Sequence, residues 1–454
     1  MNIGFFKSKD EEFISNVMYK KNFSAMISDF ASPVIIPEHI KWQEMKKIDS
    51  LGIDYLYVDL IDSGADQFWL REKEGSNTPF IVVLHTVWSW MSRLISIVPL
   101  IRKDDIIIAT SEYSKWAFSK ITNRVKPEVI PHCLDVFAIQ KFLLNKAKTG
   151  QRPKTITFLG RLFAGKGIDI VIDCLREIRE EAGDVHFNII GPLSSGFMRD
   201  HPKAPFVVRL EKKILKLGLK GKVHFKGMRL GQEKYDLLSE SDVFANLTTC
   251  PGETFPVTNI EALACGVPIV ITDWGGNREI VEEGKNGYLV DVNFDKNDII
   301  RVDKEKFIFS IVTILNNKKE SDKMKIKARR RSLDYDVLKV MPALALALKK
   351  RKKSVVCRKN KALFLKNKTI LQLKDYYSDD ILPFLCVMPI CARPYSSLFD
   401  LTVKNKKKRA DICNWKEGCL AEKTERENGA SEKIIKKMCA DLFKSLCRKT
   451  DLSA

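Results

Sequence analysis

From residue 154 to about residue 292, short apolar runs alternate with amphipathic stretches, and few folds accommodate that order. The runs TITFLG (155–160), VHFNIIG (185–191), KVHFKG (222–227), DVFANL (242–247) and PIVITD (268–273) read as buried strands closed by Gly, Asp or loop residues. Helical spacing is expected between them at 168–181, from 203 or later to 217, and at 233–239, 258–264 and 277–283. Strand and helix in strict alternation predict an α/β fold with a parallel sheet covered on both faces.

The first 149 residues repeat the pattern more weakly. Strands are expected at 2–6, 55–59, 80–85, 105–111 and 128–131, with helices between them, one of them Trp-rich at 87–101. Its Trp88, Trp90, Met91, Leu94, Ile95 stripe has the spacing of a core face, and a membrane-docking face is the other reading. Two Rossmann-like units in tandem follow, at 1–149 and 150–334, joined at TGQRP (149–153), where Gly and Pro punctuate a polar run. A chain of 454 residues is long enough to bury a core in each. Beyond them, 335–350 reads as a terminal helix that Pro342 would kink or begin, and 351–454 as a basic, Cys-containing appendage.

Charge follows the same division. Residues 1–300 hold 39 Lys and Arg against 39 Asp and Glu, whereas 301–454 hold 38 against 18, so the whole net charge of +20 lies in the last third. That argues for a separate basic appendage touching an anionic partner, not for a nucleic-acid-binding fold throughout. Of the 11 cysteines, only Cys133, Cys174, Cys250 and Cys265 precede residue 301. The start MNIGFFKSKDEEF is charged where a signal peptide would be apolar, so reduced thiols in a cytoplasmic protein are expected. The longest apolar stretch, 381–392, contains Pro383 and Pro389 and falls short of a membrane span.

Three segments carry chemistry. Gly160-Arg-Leu-Phe-Ala-Gly-Lys-Gly167 lies between a strand and a helix, with Arg161 and Lys166 flanking a turn that opens onto a helix N-terminus. Such a place suits a diphosphate, although a solvated turn would look the same. It is neither a Walker A loop nor GxGxxG. Glu253 lies in a Pro/Gly loop, and Glu261, eight positions on, lies about a turn into the next helix. Both can line a crevice beyond the strand ends, where a carboxylate can accept two hydrogen bonds from a vicinal diol; two surface glutamates are the plain alternative. Thr272-Asp-Trp-Gly-Gly-Asn-Arg-Glu279 ends another strand, as a ligand loop or as structural punctuation. In the first half, His85 closes the strongest apolar strand and His132 follows Pro131.

Taken in this order, the GRLFAGKG, ETFPVTNIEALACGVPIVITDWGGNREIV and ATSEYSK…VIPHCLD segments resemble the family-4 glycosyltransferases of the GT-B fold. The likeness runs closely over 156–292 and more loosely over 81–135. It implies two Rossmann-like domains with parallel sheets facing across a cleft, and a retaining hexosyltransferase that uses a nucleotide-sugar. By the resemblance Arg161 and Lys166 would hold the diphosphate and stabilise the leaving nucleotide. Glu261 would bind the ribose and Glu253 the sugar. Thr254, Phe255 and Pro256 would offer backbone, and His85 would face the reacting sugar.

The departures are as informative. MNIGFFKSKDEEF lacks the Gly-rich loop usual after the first strand, and only 84 residues precede His85, so an abbreviated acceptor domain is expected. No Asp-x-Asp pair in suitable context appears, which implies a metal-independent enzyme without a cofactor. The acceptor would be a glycan, a lipid-linked sugar or a small molecule, in polysaccharide biosynthesis or a related process. LKKRKK (348–353) and KNKKKR (404–409) can bind anionic lipid at the inner membrane face, with nucleic acid the less favoured anion and a solvated charge run or poorly ordered tail the plain alternative. The spacings of Cys386, Cys391, Cys413 and Cys419 do not match the usual zinc pairs. A catalytically degenerate scaffold whose tail binds membrane or nucleic acid is the alternative reading.

Overall fold

The computed structural model describes residues 1–6, 23, 27–28, 30–38, 40, 44–58, 64–87, 94, 97–144, 152–193, 204–250, 252–294 and 300–350. The appendage at 351–454, most of the Trp-rich stretch and residues 149–151 of the expected linker lie outside them. The described residues form two compact units, one up to Ile130 with 342–350 and one from Pro131 to Met341. Each unit is built on its own parallel sheet, as the alternation predicts.

The first unit carries β1 (Asn2–Phe5), β2 (Ser32–Ile35), β3 (Tyr55–Val58), β4 (Phe80–Leu84), β5 (Ile106–Ala109) and β6 (Glu128–Val129) in the order β2-β1-β3-β4-β5-β6. Every residue of β3, β4 and β5 is buried, because helices cover both faces of a parallel sheet and the strands become continuous apolar runs. Strand β2 was not legible in the sequence: Pro33 lies within it and its residues are mostly exposed, which only an edge position tolerates. Arg71 and Asp105, with no exposed side-chain surface, join the helix Gly64–Glu74 to the start of β5. Arg71 donates to Asp105 Oδ1 at 2.6 Å and Oδ2 at 2.9 Å, and to the Leu100 carbonyl at 2.9 Å. Its guanidinium carbon lies 4.0 Å from the Phe80 ring centroid.

The second unit carries β7 (Lys154–Leu159), β8 (Val185–Ile190), β9 (Val223–Gly227), β10 (Val243–Asn246), β11 (Ile269–Thr272) and β12 (Gly287–Val290) in the order β12-β11-β10-β7-β8-β9. All five pairings are parallel. From β7 the chain winds outward to β9, returns to β10 on the other side of β7, and winds outward again to β12. The strand order therefore reverses between β7 and β10, the place where open α/β sheets leave a crevice beyond the carboxyl ends. An antiparallel hairpin of β13 (Val292–Phe294) and β14 (Ile300–Val302) follows.

Helix Ile168–Ala182 shows why the pattern was readable. Ile168, Val171, Ile172, Leu175, Ile178 and Ala182 are buried at i, i+3, i+4 spacing, and Gly183 closes the helix with φ +83°. The helix expected at 277–283 does not form; a single 3₁₀ turn, Gly275–Glu279, stands there. Asn277 Nδ2 turns back to the Thr272 carbonyl at 3.0 Å, and Asn286 Oδ1 accepts from Glu282 N–H at 2.8 Å, a backbone donor that a helix would have given to the residue four before it. The helix Val337–Lys350 does form, with Pro342 inside it.

The chain enters the second unit at Pro131, earlier than the boundary expected after residue 149. Leu134, Val136 and Ile139 share an apolar core with Phe255, Ala328 and Tyr335. Leu134 N–H donates to the Tyr335 carbonyl at 3.0 Å, and the buried Asp336 carboxylate accepts from Val136 N–H at 2.9 Å. These contacts fasten residues 131–144 to the end of the second unit.

Candidate functional site

The 160–167 loop leaves the carboxyl end of β7, and the 247–254 loop leaves that of β10, so the two flank the switch point from either side. Gly167 has φ +66°, and a Cβ there would lie 2.2 Å from the Leu247 carbonyl oxygen, so no larger residue fits between the loops. Thr249 N–H donates to the Gly165 carbonyl at 3.0 Å, which fastens the loops to each other. Residues 164–166 make one 3₁₀ turn before helix Ile168–Ala182 begins.

Lys166 is ion-paired with Glu253, both side chains being mostly buried. The Thr248 hydroxyl lies 3.1 Å from the Gly165 carbonyl and 3.3 Å from Glu253 Oε2. Arg161 is exposed, its guanidinium 5.4 Å from the Phe163 ring centroid. The Glu253 loop is also held from the other side: Gly276 N–H donates to the Glu253 carbonyl at 3.2 Å and Trp274 Nε1 to the Cys250 carbonyl at 2.9 Å. The 272–279 segment thus supports the loop, and Arg278 is engaged bidentately by Asp273 at 2.8 and 2.7 Å.

The backbone offered by Thr254, Phe255 and Pro256 is more committed than the sequence suggested. Thr254 N–H donates to the Gly252 carbonyl, the Pro256 carbonyl accepts from Asn259 N–H, and proline has no N–H to give. The Phe255 side chain is buried against Tyr335 and His132, with ring centroids 5.4 and 5.7 Å away.

Glu261 is buried on helix Val257–Ala264, and its Oε1 is ion-paired with Lys234 on helix Gly231–Ser239. Burial alone would lower the Lys234 ammonium, but the Glu261 charge leaves it raised above its ordinary value. Burial, with the Glu261 charge adding to it, pushes the neighbouring Tyr235 hydroxyl up to about 12.

Lys234 had no signal of its own in the sequence, where a charged helical residue reads as solvated. A second feature was missed as well: Asn246 Nδ2 donates to Asn259 Oδ1 at 3.1 Å, and Asn259 Nδ2 to Asn277 Oδ1 at 3.1 Å. This buried relay ties the end of β10, the Glu261 helix and the turn after β11 together. An asparagine inside an apolar strand or helix is the signal that would have found it.

His85 follows β4 in the first unit, half-buried, with Nε2 3.4 Å from the Tyr57 hydroxyl. The other expected site residues all belong to the second unit. Among the described residues, Cys133, Cys174, Cys250 and Cys265 form no disulfide, and burial pushes the Cys133 and Cys174 thiols up to about 12. No group of three or more His, Cys, Asp or Glu side chains among the described residues is arranged to hold a metal ion. No helix among them is long and apolar enough to cross a membrane.

Residues 140–331 match the family model described as glycosyl transferases group 1. Mannosylfructose-phosphate synthase of Agrobacterium fabrum is 29% identical over 154 residues, covering 34% of this chain and 33% of that protein. A putative colanic acid biosynthesis glycosyltransferase, WcaL of Salmonella typhimurium, is 27% identical over 198 residues, 43% of this chain and 46% of its own length. The chain thus spans between a third and a half of the length of these curated relatives. Anabaena Alr3699/HepE, solved with UDP, superposes with TM-score 0.59 at 19% identity, covering 77% of this chain and 100% of that one. A glycosyltransferase from Rickettsia africae gives TM-score 0.60 at 15% identity, over 78% and 99%. These structures show the fold, α/β and GT-B-like with two parallel six-stranded sheets.

Proposed function

We propose that the protein transfers a sugar from a nucleotide-sugar donor to an acceptor with retention of configuration, as a family-4 glycosyltransferase. The observation that carries this reading is the convergence, at the β7/β10 switch point, of the Arg161–Lys166 loop, the Glu253 loop and the Glu261 helix.

In this reading Arg161 and Lys166 bind the diphosphate. As the bond between the anomeric carbon and the β-phosphate oxygen breaks, the electron pair leaves with the nucleoside diphosphate, and the two cations stabilise that charge. The acceptor hydroxyl attacks the anomeric carbon from the face the leaving group vacates, and its proton passes to the departing phosphate. Two fixed cations supply the counter-charge, so we propose a metal-independent reaction without a cofactor. Lys166 exchanges its Glu253 partner for the phosphate, and Glu253 turns to the sugar hydroxyls. Glu261 takes the ribose diol. The role proposed for His85, contact with the reacting sugar, rests on the family resemblance. A glycan or lipid-linked acceptor, with peripheral contact between the basic tail and an anionic membrane, completes the proposal.

HepE was solved with UDP and with UDP-glucose, which makes uridine nucleotides the first to try. The test is release of nucleoside diphosphate from UDP-, GDP- and ADP-sugars by the full chain, followed by NMR of the anomeric configuration of the product. Turnover of one donor, lowered about 100-fold or more by Lys166→Ala, is the expected result. A folded protein that neither binds nor turns over any donor would overturn the reading.

A further inference from the structure

Helix Gly231–Ser239 lies between β9 and β10 and packs on the Glu261 helix. At its fourth position stands a lysine that is 8% exposed, a burial that lysine tolerates only with a partner. The partner is Glu261 Oε1, and the side chains of the pair are 10% and 7% exposed. The Lys234 ammonium also lies 4.6 Å from the Tyr235 ring centroid, so an anion and an aromatic face fix it from two directions. Glu261 Oε2, by contrast, accepts no hydrogen bond from the described residues. One oxygen of this carboxylate is anchored and the other is left over.

We infer that Lys234 is a positioning residue for nucleotide recognition: it compensates the charge of the buried Glu261, fixes Oε1, and so reserves Oε2 for the hydroxyls of a ribonucleoside diphosphate. The inference rests on the function proposed above and assigns a determinant for the 2′-hydroxyl to a residue that does not itself touch the ligand. An apolar side chain at 234 would leave Glu261 buried without a counter-charge, free to turn away or take another partner. A lysine that served stability alone would change the melting temperature and leave ligand preference as it was.

The test compares affinities of the full chain for UDP, GDP and ADP, for their 2′-deoxy counterparts, and for inorganic pyrophosphate, by calorimetry. The wild-type protein should favour one ribonucleotide over its 2′-deoxy form by about 10-fold or more, the scale of one hydrogen bond to a charged group. Lys234→Met should reduce that preference to about 2-fold or less while pyrophosphate affinity stays unchanged; Lys234→Arg, which keeps the charge, should retain it. Thermal unfolding reports whether each variant is folded, and Lys234→Gln replaces Lys234→Met if the latter is not. A folded Met or Gln variant with the full wild-type preference would overturn the inference and leave the proposed function standing. Absence of nucleotide binding by the wild-type protein would overturn both.

Discussion

The Lys166 ammonium is paired with the Glu253 carboxylate, so two residues 87 positions apart meet across the reversal in strand order. The resemblance gives them different parts of one ligand, diphosphate and sugar, and the structure shows them holding each other. A diphosphate bound as proposed would therefore compete with Glu253 for Lys166. Lys166→Ala and Glu253→Ala are each expected to lower turnover by about 100-fold or more, the scale for removing one transition-state contact. Because the residues interact, the double variant should cost less than the product of the single effects. Steady-state kinetics of the three variants checks this, and wild-type rates in both single variants would contradict the roles.

The asparagine relay makes a stability prediction. Asn259→Leu keeps the number and branching of the side-chain heavy atoms but leaves Asn246 Nδ2 and Asn277 Oδ1 buried without the partners they have in the wild type. Each such group costs about 1–3 kcal/mol, so a loss of about 2 kcal/mol or more in urea unfolding is expected. The Glu253 loop is hydrogen-bonded to the turn this relay supports, so donor affinity should fall as well.

In the first unit the buried Arg71–Asp105 pair serves the same architectural purpose. Asp105 also accepts from Phe80 N–H and Arg102 N–H, both at 2.8 Å, so one carboxylate gathers the start of β4, the turn before β5 and the helix that carries Arg71. Arg71→Met leaves that carboxylate buried without its cation and is expected to cost about 3–5 kcal/mol, read as a lowered melting temperature.

His186 Nδ1 and His224 Nε2 lie 3.0 Å apart on adjacent strands of the second sheet. Burial, and for His224 the nearby Lys226 and His186 charges, lowers both below the ordinary 6.5. The unfolded chain therefore takes up these protons first. Their contribution to stability is complete above about pH 6.5 and is lost as pH falls through that value toward the folded-state pKa values. Asp184 beside them is held at about 2 by hydrogen bonds from Lys222 and Arg179, so its own contribution is lost only in the window from 3.8 downward. Chemical denaturation between about pH 5 and 7 should show stability rising with pH, and His186→Gln with His224→Gln should flatten that slope.

Where strands are buried on both faces the sequence was easy to read, because β4 and β11 are nearly unbroken apolar runs, with His85 and Asp273 just after them. Reading failed where local chemistry competes with periodicity: at Pro33 in an edge strand, and at Asn286, whose side chain takes the Glu282 N–H that a helix would have paired. The Trp-rich stretch is described only at Leu94 and Ile97, both buried, and at its ends. In the candidate site, Arg161 and Lys166 lie in the loop that leaves β7 and Glu253 in the loop that leaves β10, places the strand pattern marks, with Glu261 on the helix that follows. Lys234 and the asparagine relay carry no such mark, because their partners are 13 to 27 positions away and only the sheet order brings them together. The break between units was also a long-range matter, since Asp336 is what recruits Val136.

The most direct measurement is calorimetric titration of the full chain and of its Glu261→Ala variant with UDP, GDP, ADP and dTDP. One nucleotide is expected to bind the wild-type protein, and the variant, still folded, to lose about 10-fold or more of that affinity. Binding that Glu261→Ala leaves intact would place the nucleotide elsewhere, and absence of binding by any of the four to the folded wild type would contradict the proposed function.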